Sequence, residues 1–138
     1  MKIVRSGEIA PDIVREPGAK NATVQRLIDT PDGADRFVMS LFELGRDGTS
    51  PPHYHDWEHE IYVVSGTLRL ELPDRNEVVT LKQGDSVFIA RGEQHAFSTA
   101  EDESALALTM APAERPPIRS VFLSEKPYQY DQPAAERR

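Results

Sequence analysis

The chain has no cysteine among its 138 residues. Disulfides, thiolate metal ligands and cysteine nucleophiles are therefore excluded together, and the composition fits a reducing cytoplasm. No apolar run approaches the roughly 20 residues of a membrane span. Met1–Glu8 has neither an apolar h-region nor a small-residue cleavage site, so neither export nor a membrane is expected. Positive charge is scarce: 16 Lys+Arg stand against 23 Asp+Glu, for a net charge of −7 with no basic cluster. Nucleic acid is not an expected partner, because phosphate binding needs a positive footprint. Helical periodicity is missing too. The one helical candidate, Ala10–Arg15, is very short, and neither an internal repeat nor a second histidine cluster is present.

What is there is strand periodicity. The pattern predicts strands over Thr23–Ile28, Phe37–Leu44, Pro52–His55, Glu60–Val64, Thr67–Leu72, Glu77–Leu81, Ser86–Ile89, His95–Ser98 and Ser104–Met110. Leu68-Arg69-Leu70-Glu71-Leu72 alternates cleanly, with leucines on one face and charges on the other. Turn chemistry separates the runs at Pro31-Asp32-Gly33, Gly45–Gly48, Ser65-Gly66, Pro73–Asn76, Gln83-Gly84-Asp85 and Arg91-Gly92-Glu93. Short strands with turns at near-regular spacing predict one all-β domain, a sandwich or a barrel. Beyond Pro112 the composition changes, and Ile118–Leu123 forms an apolar patch that the barrel or a second subunit must cover.

All four histidines fall at two places: His53, His55 and His59 lie within seven residues, and His95 ends a later apolar run. In a strand, His53 and His55 leave the same face. A site that needs several imidazoles concentrates them, and this is chelate spacing.

Gly48-(four residues)-His53-Tyr54-His55-Asp56-Trp57-Glu58-His59-Glu60-(five residues)-Gly66 resembles the first cupin motif, and Gly84-Asp85-Ser86-Val87-Phe88-Ile89-Ala90-Arg91-Gly92-Glu93-Gln94-His95 resembles the second. The resemblance implies a double-stranded β-helix, or jelly-roll barrel, over residues 23–112. An N-terminal arm would occupy 1–22, and a C-terminal extension with a frayed end 113–138. It implies one divalent transition metal per chain, held by His53, His55, His95 and a fourth residue. Counting back from Gly66 lands on His59, where the family commonly has glutamate. Other cupins place the glutamate one residue later, which would favour Glu60. Alternation forbids both from pointing inward, and His59 is preferred; the segment then resembles the small manganese-type cupins with four histidines. Ala90 stands where the family has proline, and Thr99 where asparagine is common.

Manganese or iron is the favoured ion, with nickel, copper and zinc open, because imidazole suits them all. Four neutral imidazoles leave the full 2+ on the ion, and an octahedral ion keeps two positions open. The expected cavity is apolar, lined by Met39, Leu41, Phe97 and the small face Ala107 and Thr109, although the blander assignment turns Leu106, Leu108 and Met110 inward. Trp57 is expected at the rim, with substrate stacking as its lesser role. Glu58, Glu60 and Glu93 are the nearby carboxylates. The leading functional expectation is oxygen-dependent cleavage of a small apolar or enolisable substrate. The alternatives are a non-redox Lewis-acid enzyme, like the polyketide cyclases or isomerases of the superfamily, and a metal-containing binding module without turnover. A cytoplasmic homodimer is expected, since cupins resembling this one pair through edge strands.

Overall fold

Among the described residues, alternation along the chain produces ten strands: β1 Asp12–Ile13, β2 Lys20–Ile28, β3 Phe37–Thr49, β4 His53–Tyr54, β5 His59–Leu72, β6 Glu77–Lys82, β7 Ser86–Ile89, β8 Ala96–Ser98, β9 Ala105–Pro112 and β10 Val121–Phe122. The structure is a computed structural model and describes residues 1–114 together with β10, the latter for its backbone only. Among these residues the helices are single 3-10 turns, and the expected all-β class is what is found. The short helical candidate Ala10–Arg15 is corrected: its centre is β1, which pairs antiparallel with β2 as Asp12↔Val24 and Ile13↔Thr23. Of the Ile118–Leu123 patch, Val121 and Phe122 pair by backbone with Tyr54 and His53. The rest of that patch lies outside the described residues.

β5 ties the architecture together. Its first half pairs with β7 and β9, and its second half with β6 and β8. Two strands were expected here, separated by a turn at Ser65-Gly66. Instead the strand runs through, with an irregularity between Val63 and Ser65 and Gly66 at φ 81°. A bulge re-aims a strand without ending it, which lets one strand serve both walls. Glycine is required there: a Cβ at Gly66 would lie 1.9 Å from the Ser104 carbonyl oxygen. β3 makes the matching passage on the opposite side, pairing with β2 and β9 along Phe37–Leu44 and with β8 at Thr49↔Ser98.

The core fills the space between the walls. Leu44, Val63 and Leu68 are fully buried, with Ile61, Leu70, Leu81, Ile89 and Phe97 around them. Register decides which side chains join them. Phe42 pairs with Ala107, and Ala107 with Val63, so this row faces inward. The next inward row is Arg26–Ser40–Thr109–Ile61. Two rows face outward: Leu41–Leu108–Tyr62 and Met39–Met110–Glu60–Phe88. One expectation is thereby corrected: Met39 and Leu41 turn away from the interior. Of the two faces left open on β9, Ala107 and Thr109 point inward, and Leu106, Leu108 and Met110 lie on the other side. The buried Val38 and Leu44 set the inward parity of β3, and small alanines face inward on β9 because the facing Phe42 and Phe97 take up the volume.

Gly66→Ala combines a forbidden backbone conformation with a clash against main chain. It is expected to cost more than about 3 kcal/mol in denaturant unfolding, whereas Gly84→Ala, which shares the left-handed backbone at φ 93° but meets no clash, should cost less.

Candidate metal centre

The two histidine-bearing segments meet through their backbones. His53 and His95 form an isolated antiparallel bridge, with His53 N donating to His95 O at 3.0 Å and His95 N to His53 O at 2.9 Å. The turn before His95 also reaches the third histidine, since Gly92 N donates to His55 O at 2.9 Å. Side-chain donors of His53, His55 and His95 consequently lie within 4.8 Å of one another. His55 and His95 are buried and His53 half-buried.

Each of these three imidazoles is oriented by a carbonyl two residues away. Nδ1 of His53 meets Pro51 O at 2.8 Å, Nδ1 of His55 meets Trp57 O at 3.0 Å, and Nδ1 of His95 meets Glu93 O at 2.8 Å. A carbonyl only accepts, so Nδ1 carries the proton and Nε2 keeps its lone pair. The pattern is that of metal-ligating histidines, whose second nitrogen is held by an outer acceptor. His95 Nε2 is buried and has no hydrogen-bond partner. An orphaned acceptor in that position is costly unless something electropositive meets it. The three donors fit a divalent metal ion, and nothing in the cluster is a thiolate that would close a structural zinc site.

His59 stands beside the group without belonging to its tightest contact. Its ring centroid lies 5.6 Å from that of His55 and 6.4 Å from that of His95. Its Nδ1 is buried without a partner. Its neighbour Glu60 is exposed on the outward row, which removes Glu60 from the interior. Of the other carboxylates, Glu58 is exposed. Glu93 is committed to the turn: its carboxylate accepts from Ala90 N at 2.8 Å and from Arg75 at 2.9 Å.

Burial keeps the imidazoles neutral. It pushes His55 far below the ordinary histidine value, with the charges of His95, His59 and His53 adding to the effect. Burial, then His95 and His53, brings His59 down to about 3. His95 is lowered by burial, partly offset by its bond to the Glu93 carbonyl. Neutral imidazole is the form that binds metal.

The expected pocket residues divide. Phe97 is buried 5.9 Å from His95 by ring centroids, and next to Phe42 at 6.2 Å. Ala107 and Thr109 face inward, whereas Met39 and Leu41 do not. Trp57 lies against His55 and His59. Ser40 and Phe42 belong on the interior list and were missed. The register Ser40↔Thr109 and Phe42↔Ala107 identifies them, and no single-strand pattern does. The two departures from family pattern also acquire roles. Thr99 Oγ1 accepts from Gly48 N at 2.9 Å and donates to Gly45 O at 2.5 Å, clasping the bend of β3. Ala90 supplies an N–H that proline lacks, and Glu93 accepts it.

A family model described as a cupin domain matches residues 40–111. The chain belongs to the cupin family. Among solved structures, this cupin is similar to the polyketide cyclase RemF from Streptomyces resistomycificus, with 52% identity, a TM-score of 0.85, and 93% of this chain and 90% of that chain covered. More distant likenesses show the fold alone. A predicted oxalate decarboxylase from Thermotoga maritima shares 23% identity at a TM-score of 0.70, covering 80% of this chain and 98% of that one. A cupin-superfamily sugar phosphate isomerase from Silicibacter pomeroyi shares 19% at 0.72, covering 89% and 82%. No curated protein matches the chain. No helix among the described residues is long and apolar enough to cross a membrane.

The depressed histidines give the metal-free cupin a definite pH response. Below about pH 6.5 the unfolded chain takes up protons that the folded site refuses, so stability present above that pH is lost as pH falls toward the folded value of about 3 for His59. Urea unfolding of metal-free protein should show a loss of about 2 kcal/mol from His59 between pH 6.5 and 5. His55 and His95 add to it in the same direction. Unchanged stability over that range would contradict the burial of neutral imidazoles.

Proposed function

We propose that this cupin is a metal-dependent cyclase that acts on a polyketide-type, poly-carbonyl substrate without redox chemistry. The observation that carries the reading is the 52% identity with the polyketide cyclase RemF over 93% of the chain. The comparisons lend no support to oxygen-dependent cleavage, the leading expectation from sequence, and favour the non-redox alternative.

His53, His55 and His95 hold one divalent transition ion through Nε2, and His59 is the fourth ligand. Support for His59 comes from its inward parity with Ile61 and Val63, its unpartnered Nδ1 and the outward turn of Glu60. In this reading the ion is of the manganese or iron class, with nickel, copper and zinc accepted by the same donors. Bound there, such an ion supplies Lewis acidity that polarises a carbonyl oxygen. The chain's own residues do the rest. Four neutral imidazoles leave the site's positive charge undiminished, so it favours electron-rich, enolisable oxygens. Phe42, Ile61, Val63, Phe97 and Ala107 form an apolar wall that excludes water. Thr109 brings a hydroxyl to the next inward row, which reaches the Ser40 carbonyl at 3.4 Å. The carboxylates flanking the histidines are exposed or tied to the turn. The site's contribution is thus to orient the reacting carbonyls and keep them dry, rather than to move protons through an acid pair. A cytoplasmic location belongs to the same reading.

Two measurements test these assignments. Metal-loaded protein given a linear poly-β-carbonyl substrate under nitrogen should release a cyclised, dehydrated product at the aerobic rate, and a chelator should stop it. Oxygen uptake coupled to product would return the cleavage reading. In the same preparations, metal analysis should find about one ion per chain, retained in Glu60→Gln and weakened more than about a hundredfold in His95→Ala.

The outward rows support a homodimer. Phe37, Tyr62, Val64 and Phe88 are all exposed, and Leu41, Leu108, Met39 and Met110 continue the apolar surface between them. We propose that a second copy of this chain covers that face. Sedimentation should give a dimer at tens of micromolar, and Phe88→Lys with Tyr62→Lys should shift it to monomer without changing metal content. A wild-type monomer at that concentration would remove the proposal.

A further inference from the structure

Trp57 sits in the connection between β4 and β5, two residues after His55 and two before His59. Its indole is stacked on the His55 imidazole, with ring centroids 3.6 Å apart and planes within 3°. Its own carbonyl accepts from His55 Nδ1 at 3.0 Å. One residue therefore grips one ligand twice, through backbone and ring. The two contacts restrain different motions. A single hydrogen bond to Nδ1 sets the direction of the imidazole but leaves its plane free to rock about that direction. A parallel ring at van der Waals distance takes up that freedom, because rocking lifts one edge off the indole and drives the other into it.

The other ligands have different supports. His53 and His95 contact each other with ring centroids 4.4 Å apart at 53°, on backbones already joined by two hydrogen bonds. His95 also rests against Phe97 at 66°. His55 meets its fellow ligands only at tilted or edge angles of 57° and 73°. Among the described residues its face-to-face partner is the indole. The same indole stands edge-on to His59 at 5.6 Å and 65°, between the tight group and the fourth imidazole. The face against His55 is closed at stacking distance, so it offers no platform to a substrate.

We infer that Trp57 is a positioning residue of the metal centre: its indole face holds the plane in which His55 Nε2 meets the ion. This rests on reading the histidine cluster as a metal site, and the test separates the two. Metal-free wild type, Trp57→Phe and Trp57→Ala are each titrated with Co2+ against a chelating dye, reading affinity and the visible cobalt band. The backbone carbonyl survives both substitutions, so the variants isolate the ring. Trp57→Ala should bind cobalt about 10- to 100-fold more weakly, the usual cost of losing an outer support of a ligating histidine. Its band should be altered while its far-ultraviolet circular dichroism is unchanged. Trp57→Phe should recover most of the affinity and the wild-type band. If Trp57→Ala fails to fold, Trp57→Leu, which keeps apolar bulk without a ring face, is read in the same way. In wild-type protein the emission of the single tryptophan should be quenched by Co2+ with the midpoint of the dye titration. Wild type and Trp57→Ala binding cobalt equally, with the same band, would overturn the inference and leave the metal reading intact. Tryptophan emission that stays constant while the site fills would overturn it too. Wild type that takes up no cobalt would overturn both.

Discussion

The backbone bridge between His53 and His95 is the constraint on which the site depends. Two hydrogen bonds, at 3.0 and 2.9 Å, fasten together segments that are far apart in sequence. The meeting of the three imidazoles presupposes that contact. Gly92 reaches the His55 carbonyl because the turn it belongs to is carried by His95. The Nδ1 bonds to Pro51, Trp57 and Glu93 then choose the tautomer. Main chain does most of the work, and main chain is harder to displace than a side-chain network. Each link is local to one histidine, while the bridge makes the three of them neighbours.

The barrel exists to hold that bridge in register. β5 serves both walls, and its passage through Gly66 sets the relative height of His59 and the second-half strands. A side chain at Gly66 would press on the Ser104 carbonyl, so the bulge and the glycine are one feature. Thr99 performs a similar service on β3, joining Gly48 N and Gly45 O where the strand bends toward β8. These clasps lie away from the imidazoles, yet a slip of one residue in either strand would turn the inward rows outward.

Electrostatics suits the proposed chemistry. The protein is acidic overall, at −7, but the carboxylates nearest the histidines face solvent or are spent in the Glu93 turn. Burial and mutual repulsion keep His55 and His59 unprotonated, and an uncharged donor set concentrates positive charge on whatever cation it holds. A dry apolar wall then strengthens the pull on a carbonyl oxygen, since screening by water is removed.

Much of this was legible in the residues themselves. Strand periodicity, turn chemistry and the spacing of His53, His55 and His95 announced an all-β barrel with a cluster of imidazoles, because alternation and chelate spacing are short-range properties. Parity also separated His59 from Glu60, since adjacent residues on a strand take opposite faces. What lay beyond reach required knowing which strands pair. Leu41 and Met39 look like interior residues in isolation, and only the inward parity of Val38 and Leu44, matched against Ala107, turns them out. The Ser65-Gly66 pair reads as a turn, yet pairing with β9 on one side and β6 on the other makes it a bulge inside one strand. The stack of Trp57 on His55 is likewise invisible in a linear chain, because it depends on how a loop closes over the imidazole. Local sequence determined the strands and the donors. Tertiary pairing decided which side chains face the donors, since a strand has two faces and only its partners tell them apart.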